Sequence, residues 1–226
     1  MSTPSAPSPA TTRKVARFWP VVSGGIALVI GIVLGLIIFI RGNLPIEADA
    51  EWMEEIVEHR SPIWDAPALV MNFIGGGWFS VALPLAIVAV FCILRRFWSA
   101  LYFALACVLS VAVVQLLKGL YVRPRPEDIL VTSDIGSFPS GHSANAATLA
   151  VALAVIFWRL WIWAAGAIYV VLMMLSRTYL GAHWVTDTIG GLLLGVAVAV
   201  IVWAPFANKL RVERERKNPD APPPVE

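Results

Sequence analysis

The chain has 226 residues, of which 58% are hydrophobic and only 14% charged, and its mean hydropathy is +0.76. That balance excludes an ordinary soluble globular protein, in which about a quarter of the residues are charged. The formal net charge is +2 with the cations scattered along the chain, which argues against a nucleic-acid partner, and at about 20 apolar residues per bilayer crossing the length leaves no room for a separate soluble domain.

In chain order, residues 1–12 are rich in Ser, Thr, Pro and Ala without apolar periodicity, and residues 1–19 are expected to form a disordered cytoplasmic tail. Arg13, Lys14 and Arg17 then precede an unbroken apolar run at 21–40, long enough for a first transmembrane helix. Glu47, Asp49, Glu51, Glu54, Glu55 and Glu58, interleaved with Trp52, Ile56 and Val57, predict a short amphipathic interfacial helix with a solvated acidic face and no part in catalysis. Gly75, Gly76 and Gly77 mark a flexible entry to the next span. Further apolar runs at 78–94, 97–117, 144–158, 161–175 and 189–204 bring the expected count to six. The predicted fold is therefore all-α: a six-helix membrane domain over 20–207 with one short extracytoplasmic interfacial helix, followed by a polar cytoplasmic tail at 208–226 that ends beyond three consecutive prolines.

Cys92 and Cys107 fall inside apolar runs and read as small buried hydrophobes, not as a disulfide framework. Trp19, Trp78, Trp98, Trp158, Trp161 and Trp163 lie near predicted span ends, as interfacial aromatic belts do. Lys and Arg concentrate in cytoplasmic loops, and an N-terminus inside puts 11 of the 17 cations there: Arg13, Lys14, Arg17, Arg95, Arg96, Arg159, Lys209, Arg211, Arg214, Arg216 and Lys217. The same orientation leaves Arg41, Arg60, Lys118, Arg123, Arg125 and Arg177 outside, and puts the stretches 118–142 and 177–187 on one extracytoplasmic face.

Three polar islands interrupt the apolar pattern: Lys118 with Arg125 and Pro126; Pro139, Ser140, Gly141 and His142; and Ser176 and Arg177 with His183 and Asp187. Lys118, Arg125 and Arg177 at span ends call for an anionic partner, and the nearby acids are only Glu127, Asp128, Asp134 and Asp187. A phosphate group suits them, with the arginines offering bidentate contacts and the lysine a point charge. Ser140 sits where a helix N-cap is expected, which aims backbone N–H groups outward as an anion site, and Gly141 permits close approach. His183 and Asp187 are four apart, on one face of a helix, so the carboxylate can fix the imidazole tautomer and the imidazole can serve as a nucleophile. Taken singly, each histidine is equally a cap or a buried polar residue, and each cation an interfacial anchor; it is their joint appearance on one face that points to a site. Arg123 is extra to these islands and reads as a secondary anion contact.

The three islands resemble, in order and internal spacing, the signature motifs of the type 2 phosphatidic acid phosphatase superfamily, over 118–187. The resemblance implies a membrane enzyme that releases phosphate from a lipid phosphate or diphosphate such as undecaprenyl diphosphate, phosphatidylglycerol phosphate or phosphatidic acid, through a phosphohistidine. It implies His183 as nucleophile, Asp187 as its orienting partner and His142 as general acid and then base. Lys118, Arg125, Ser140, Gly141 and Arg177 would form the phosphate clamp. Neither a metal nor a cofactor is required in this scheme, and the partners it implies are the lipid substrate and the bilayer. Two alternatives share the motifs: a lipid phosphotransferase using the same intermediate, and a transporter that holds the headgroup without cleaving it.

Overall fold

A computed structural model describes the backbone at 9–132 and 136–217 and the side chains at 19–132 and 136–216. The expected tail at 1–8 and its counterpart at 218–226 lie outside the described residues, as does Asp134. All regular elements among the described residues are helices: α1 (Pro9–Ile40), α2 (Glu47–Glu58), α3 (Pro62–Gly75), α4 (Phe79–Ile93), α5 (Phe97–Tyr121), α6 (Gly141–Phe157), α7 (Leu160–Tyr179) and α8 (Val185–Lys217).

Helix α6 is the hub. It packs most closely on α8, then on α7 and α5, while α1 lies along the far side of α8. Small residues explain how α6 and α8 approach: a Cβ added at Gly195 would collide with the Ala144 carbonyl and come within 2.9 Å of the Ala147 Cβ, and one at Gly191 would strike the Ser140 carbonyl. Gly191 and Gly195 thus form a small-xxx-small seam, the arrangement that lets transmembrane backbones pack where hydrophobic driving force is lost to lipid. Deep in that seam the Thr148 hydroxyl lies 2.8 Å from the Ala144 carbonyl and 2.9 Å from the Ser110 Oγ, joining α6 to α5. Outward, α1, α5 and α7 expose Ile26, Val29, Leu101, Val108 and Ile168, an apolar perimeter suited to acyl chains.

The six expected spans are not all met by single long helices. Four helices are long and apolar enough to cross a bilayer, five if the pair α3 and α4, bent by 56°, is one broken span, and α6 is a shorter apolar helix. At about 1.5 Å per residue the 17 residues of α6 reach roughly 25 Å against a hydrocarbon core of about 30 Å, so this helix is short for a full crossing. The expected span at 78–94 corresponds to α4 alone. Helix α3 is not legible as a span, since Pro62, Asp65, Pro67 and Asn72 break its apolar run.

Both chain ends also differ. Helix α1 begins at Pro9, inside the stretch expected to be a tail, and α8 continues to Lys217, past the boundary expected at 208. The extension is held by Glu213, whose carboxylate accepts from the Trp98 and Ser99 backbone N–H groups, both at 3.0 Å, and so caps the start of α5.

Candidate active site

The three polar islands meet at one end of the bundle. Helix α5 stops at a left-handed Val122 (φ 44°) whose N–H bonds back to the Lys118 carbonyl, and the chain then turns under the bundle end. That stop leaves Lys118 buried in the last turn, where its Nζ donates to the Gly136 carbonyl at 2.9 Å. Arg125 Nη2 donates to the same carbonyl at 3.0 Å, and its Nη1 donates to the Ala182 carbonyl. Gly136 has φ +78°, a left-handed conformation that a side chain would strain, and it thereby presents one carbonyl to two cations.

Ser140 is the N-cap of α6, as its position in the sequence predicts, and its Oγ accepts from the Ser143 N–H at 3.4 Å. It is fully buried beneath the site, while Gly141 and His142 line the cavity above it. Its backbone N–H donates to the Asp187 carbonyl at 2.9 Å, which ties the second island to the third. His142 packs under the α3–α4 break: a Cβ at Gly76 would lie 2.6 Å from its Nε2. Gly75 and Gly76 make room for this imidazole, and all three glycines at 75–77 line the cavity at the break that precedes α4.

Arg177 ends α7 and is 1% exposed, with its Nη1 donating to Asn72 Oδ1 at 2.5 Å. The turn to α8 uses Gly181 (φ +65°), and it brings His183 beneath the three cations. The imidazole is 2% exposed, its Nε2 is 3.3 Å from Arg125 Nη1, and its Nδ1 is 3.7 Å from Asp187 Oδ2. That last separation is an ion-pair distance and too long for a hydrogen bond. Asp187 Oδ2 instead accepts from the Trp184 N–H at 2.8 Å, and Oδ1 accepts from Arg123 Nη1 at 2.6 Å.

Lys118, Arg125, Gly141, His142, Arg177 and His183 thus line one cavity of about 360 Å³, whose wall also includes Ser80, Val81 and Val111. Charged groups and apolar side chains share this lining, the composition of a site for an amphipathic ligand.

Three residues of this region were missed. Asn72 holds Arg177, and its signal was a lone amide within an apolar helix. Asp49 was assigned to a solvated face, yet it is 1% exposed and pairs with Arg123 at 2.8 Å, whereas Glu47, Glu51, Glu54, Glu55 and Glu58 are exposed as expected. Its signal was the spacing to Met53, which puts an acid on the apolar stripe of α2. Arg123, expected as a secondary anion contact, instead lies outside the cavity wall with its guanidinium between Asp49 and Asp187.

The model of the PAP2 superfamily matches residues 99–211, half of the chain and all three islands. The chain belongs to the PAP2 superfamily. It is 28% identical over 187 residues to phosphatidylglycerophosphatase B of Bacillus subtilis (strain 168), covering 78% of this chain and 92% of that protein. Undecaprenyl-diphosphatase of Sulfolobus acidocaldarius is 40% identical over 74 residues, 33% of this chain and 32% of that protein. Among solved structures, the transmembrane PAP2 type phosphatidylglycerolphosphate phosphatase from Bacillus subtilis superposes with a TM-score of 0.72 at 26% identity, covering 83% of this chain and 96% of that one. Aquifex aeolicus LpxE superposes with a TM-score of 0.60 at 29% identity, over 68% of this chain and 93% of that one. The chain is accordingly a multi-pass membrane phosphatase of the PAP2 superfamily, and its relatives support lipid phosphate hydrolysis.

Proposed function

We propose that the chain hydrolyses phosphatidylglycerol phosphate, or a lipid phosphate or diphosphate closely akin to it, through a phosphohistidine formed on Nε2 of His183. The observation that carries this is the orientation of the His183 ring: Nε2 faces the cavity beside Arg125, and Nδ1 faces the carboxylate of Asp187. In the first step Nε2 attacks phosphorus, the bond from phosphorus to the lipid oxygen breaks, and His142 gives that oxygen a proton. In the second, His142 takes a proton from water, the water oxygen attacks phosphorus, and the bond to Nε2 breaks to release inorganic phosphate. Lys118, Arg125 and Arg177, with the N-terminal amides of α6 above the Ser140 cap, hold the phosphoryl oxygens in both steps. Neither step calls for a metal or a cofactor, since the cations already lining the cavity neutralise the charge on the phosphoryl oxygens.

Phosphatidylglycerol phosphate ranks ahead of undecaprenyl diphosphate because the likeness to phosphatidylglycerophosphatase B runs along 92% of that relative, whereas the likeness to undecaprenyl-diphosphatase spans 32% of its own. The shared islands bind the phosphate and are blind to the tail, so tail preference resides in the remainder of the fold. Phosphate release by the purified full chain in detergent, measured side by side on phosphatidylglycerol phosphate, undecaprenyl diphosphate and phosphatidic acid, tests this: the first is expected to give the highest kcat/KM. Release from none of the three would overturn the proposal.

The site is assigned to the extracytoplasmic face with both termini cytoplasmic, supported by the 11 of 17 cations that this orientation puts inside.

Burial, followed by the charges of Arg177, Arg125 and Lys118, holds the His183 imidazole well below its ordinary value of 6.5. The sign for activity follows directly: the neutral ring is the nucleophile, so depression keeps it competent as pH falls through 6.5, and it is lost only below that. The acid limb of kcat/KM, which reports the free enzyme, is therefore expected below pH 6.5. An acid limb above that value would contradict His183 as the attacking group in this environment.

A further inference from the structure

From Asp187, behind His183, a buried ionic chain runs on to two residues outside the three islands, Arg123 and Asp49. Asp187 Oδ1 accepts from Arg123 Nη1 at 2.6 Å, and Arg123 Nη2 donates to Asp49 Oδ2 at 2.8 Å, with all three side chains fully shielded from solvent. Asp49 also accepts from the Thr186 N–H at 2.9 Å and the Thr186 hydroxyl at 2.7 Å, so α2 is bound to the first turn of α8. Arg123 Nη1 lies 2.8 Å from the same hydroxyl, and its guanidinium stacks 5.7 Å from the Trp184 ring.

Counting charge along this chain gives it a purpose. Asp187 paired with Arg123 alone would be neutral, with its negative charge fully engaged. Adding Asp49 makes two carboxylates share one guanidinium and leaves one negative charge over. The chain ends at Asp187 Oδ2, which accepts from the Trp184 N–H and lies 3.7 Å from His183 Nδ1. Four of the groups around His183 oppose positive charge on the ring, Lys118 from α5, Arg125 from the following loop, Arg177 from α7 and His142 from α6, while the Ser137 backbone favours it. Phosphorylation at Nε2 puts positive character on the imidazole, so a site built from cations to hold phosphate needs a counter-charge behind the ring.

We propose that Asp49 and Arg123 are positioning residues for the reaction: by dividing Arg123 between two carboxylates, Asp49 leaves one net negative charge behind His183 and fixes Asp187 against Nδ1. This rests on His183 being the nucleophile. Neither residue touches the cavity, and both act through Asp187.

The test compares Asp49→Asn, Arg123→Gln and the double variant as full chains purified in detergent. Asn keeps an oxygen for the Thr186 N–H but removes the charge. Asp49→Asn is expected to lower kcat about 10-fold or more with KM within about threefold, and to move the acid limb of kcat/KM to lower pH. Arg123→Gln, which leaves two negative charges, moves that limb to higher pH. The double variant restores a single negative charge, so its kcat rises several-fold above that of Asp49→Asn and its limb returns toward the wild-type position. A double variant as impaired as Asp49→Asn, or limbs that do not move in opposite directions, would overturn the proposal. If Asp49→Asn does not fold, Arg123→Gln alone decides, since an unmoved or lowered limb sinks it. Full activity of His183→Ala in the same assay would instead mean that the nucleophile was misassigned, so the two failures are distinguishable.

Discussion

Replacing His183 with alanine is expected to lower kcat/KM for a lipid phosphate by about 10³-fold or more, with the protein still folded in detergent and the lipid still bound. Two features make the effect this large. The cavity has one imidazole nitrogen presented to it from below, Nε2 of His183, and this nitrogen already sits 3.3 Å from the guanidinium that would receive the phosphoryl oxygens. Water attacking directly would keep the clamp but lose a nucleophile held in line, so the residual rate measures what Lys118, Arg125 and Arg177 contribute alone. Thermal melting of the variant beside wild type checks that the loss is chemical, and a fall of less than about tenfold would place the nucleophile elsewhere.

His142→Ala is expected to cost about 10²- to 10³-fold in kcat on a lipid substrate, the range for removal of a general acid and base. The diagnostic is its dependence on the leaving group. A lipid alkoxide needs a proton as it departs, whereas the anion of p-nitrophenol does not, so the first step on p-nitrophenyl phosphate should be largely spared in the variant. The second step still lacks the base that activates water, and the phosphoenzyme should therefore accumulate after a burst of p-nitrophenol. An equal loss on both substrates without a burst would remove His142 from the proton-transfer role. Its position under Gly76 makes the role sensitive to the α3–α4 break as well, because any side chain there would press on Nε2.

The polar islands were legible in the sequence because they stand against an apolar background in which each charge is costly and therefore conspicuous. Ser140 as a cap follows from local rules of helix geometry, and the fold meets it; His183 instead lies in the turn before α8 and comes within 3.7 Å of Asp187 from there, not from a shared helix face. Helix α2 was legible for the same reason, through its amphipathic spacing. What escaped depends on tertiary partners. The spacing of Asp49 to Met53 puts it on the apolar stripe of α2, but its partner Arg123 is 74 residues away and no local pattern announces the pair. Helix α3 hides behind its prolines, of which Pro62 occupies the first turn, where a missing N–H costs nothing. The length of α8 is settled by Glu213 capping another helix, a contact no periodicity announces.

The seam between α6 and α8 shows how packing sets the chemistry. Gly191 and Gly195 let the two helices close until the Ser140 N–H reaches the Asp187 carbonyl, and this contact registers His142 against His183. Arg125, in the stretch after α5, reaches the same point through the Ala182 and Gly136 carbonyls. The cavity thus sits at helix ends held in register by small residues, with His142 in the first turn of α6 and His183 in the turn before α8.

Rapid acid-free quenching of the purified chain during turnover of a lipid substrate labelled in its phosphate, followed by mapping of the label, tests the central claim most directly. A label that is stable to alkali, labile to acid and located on the peptide carrying His183, and that is missing from His183→Ala, is the expected result. Turnover with the label on another residue, or at a full rate with no phosphoenzyme formed, would contradict it.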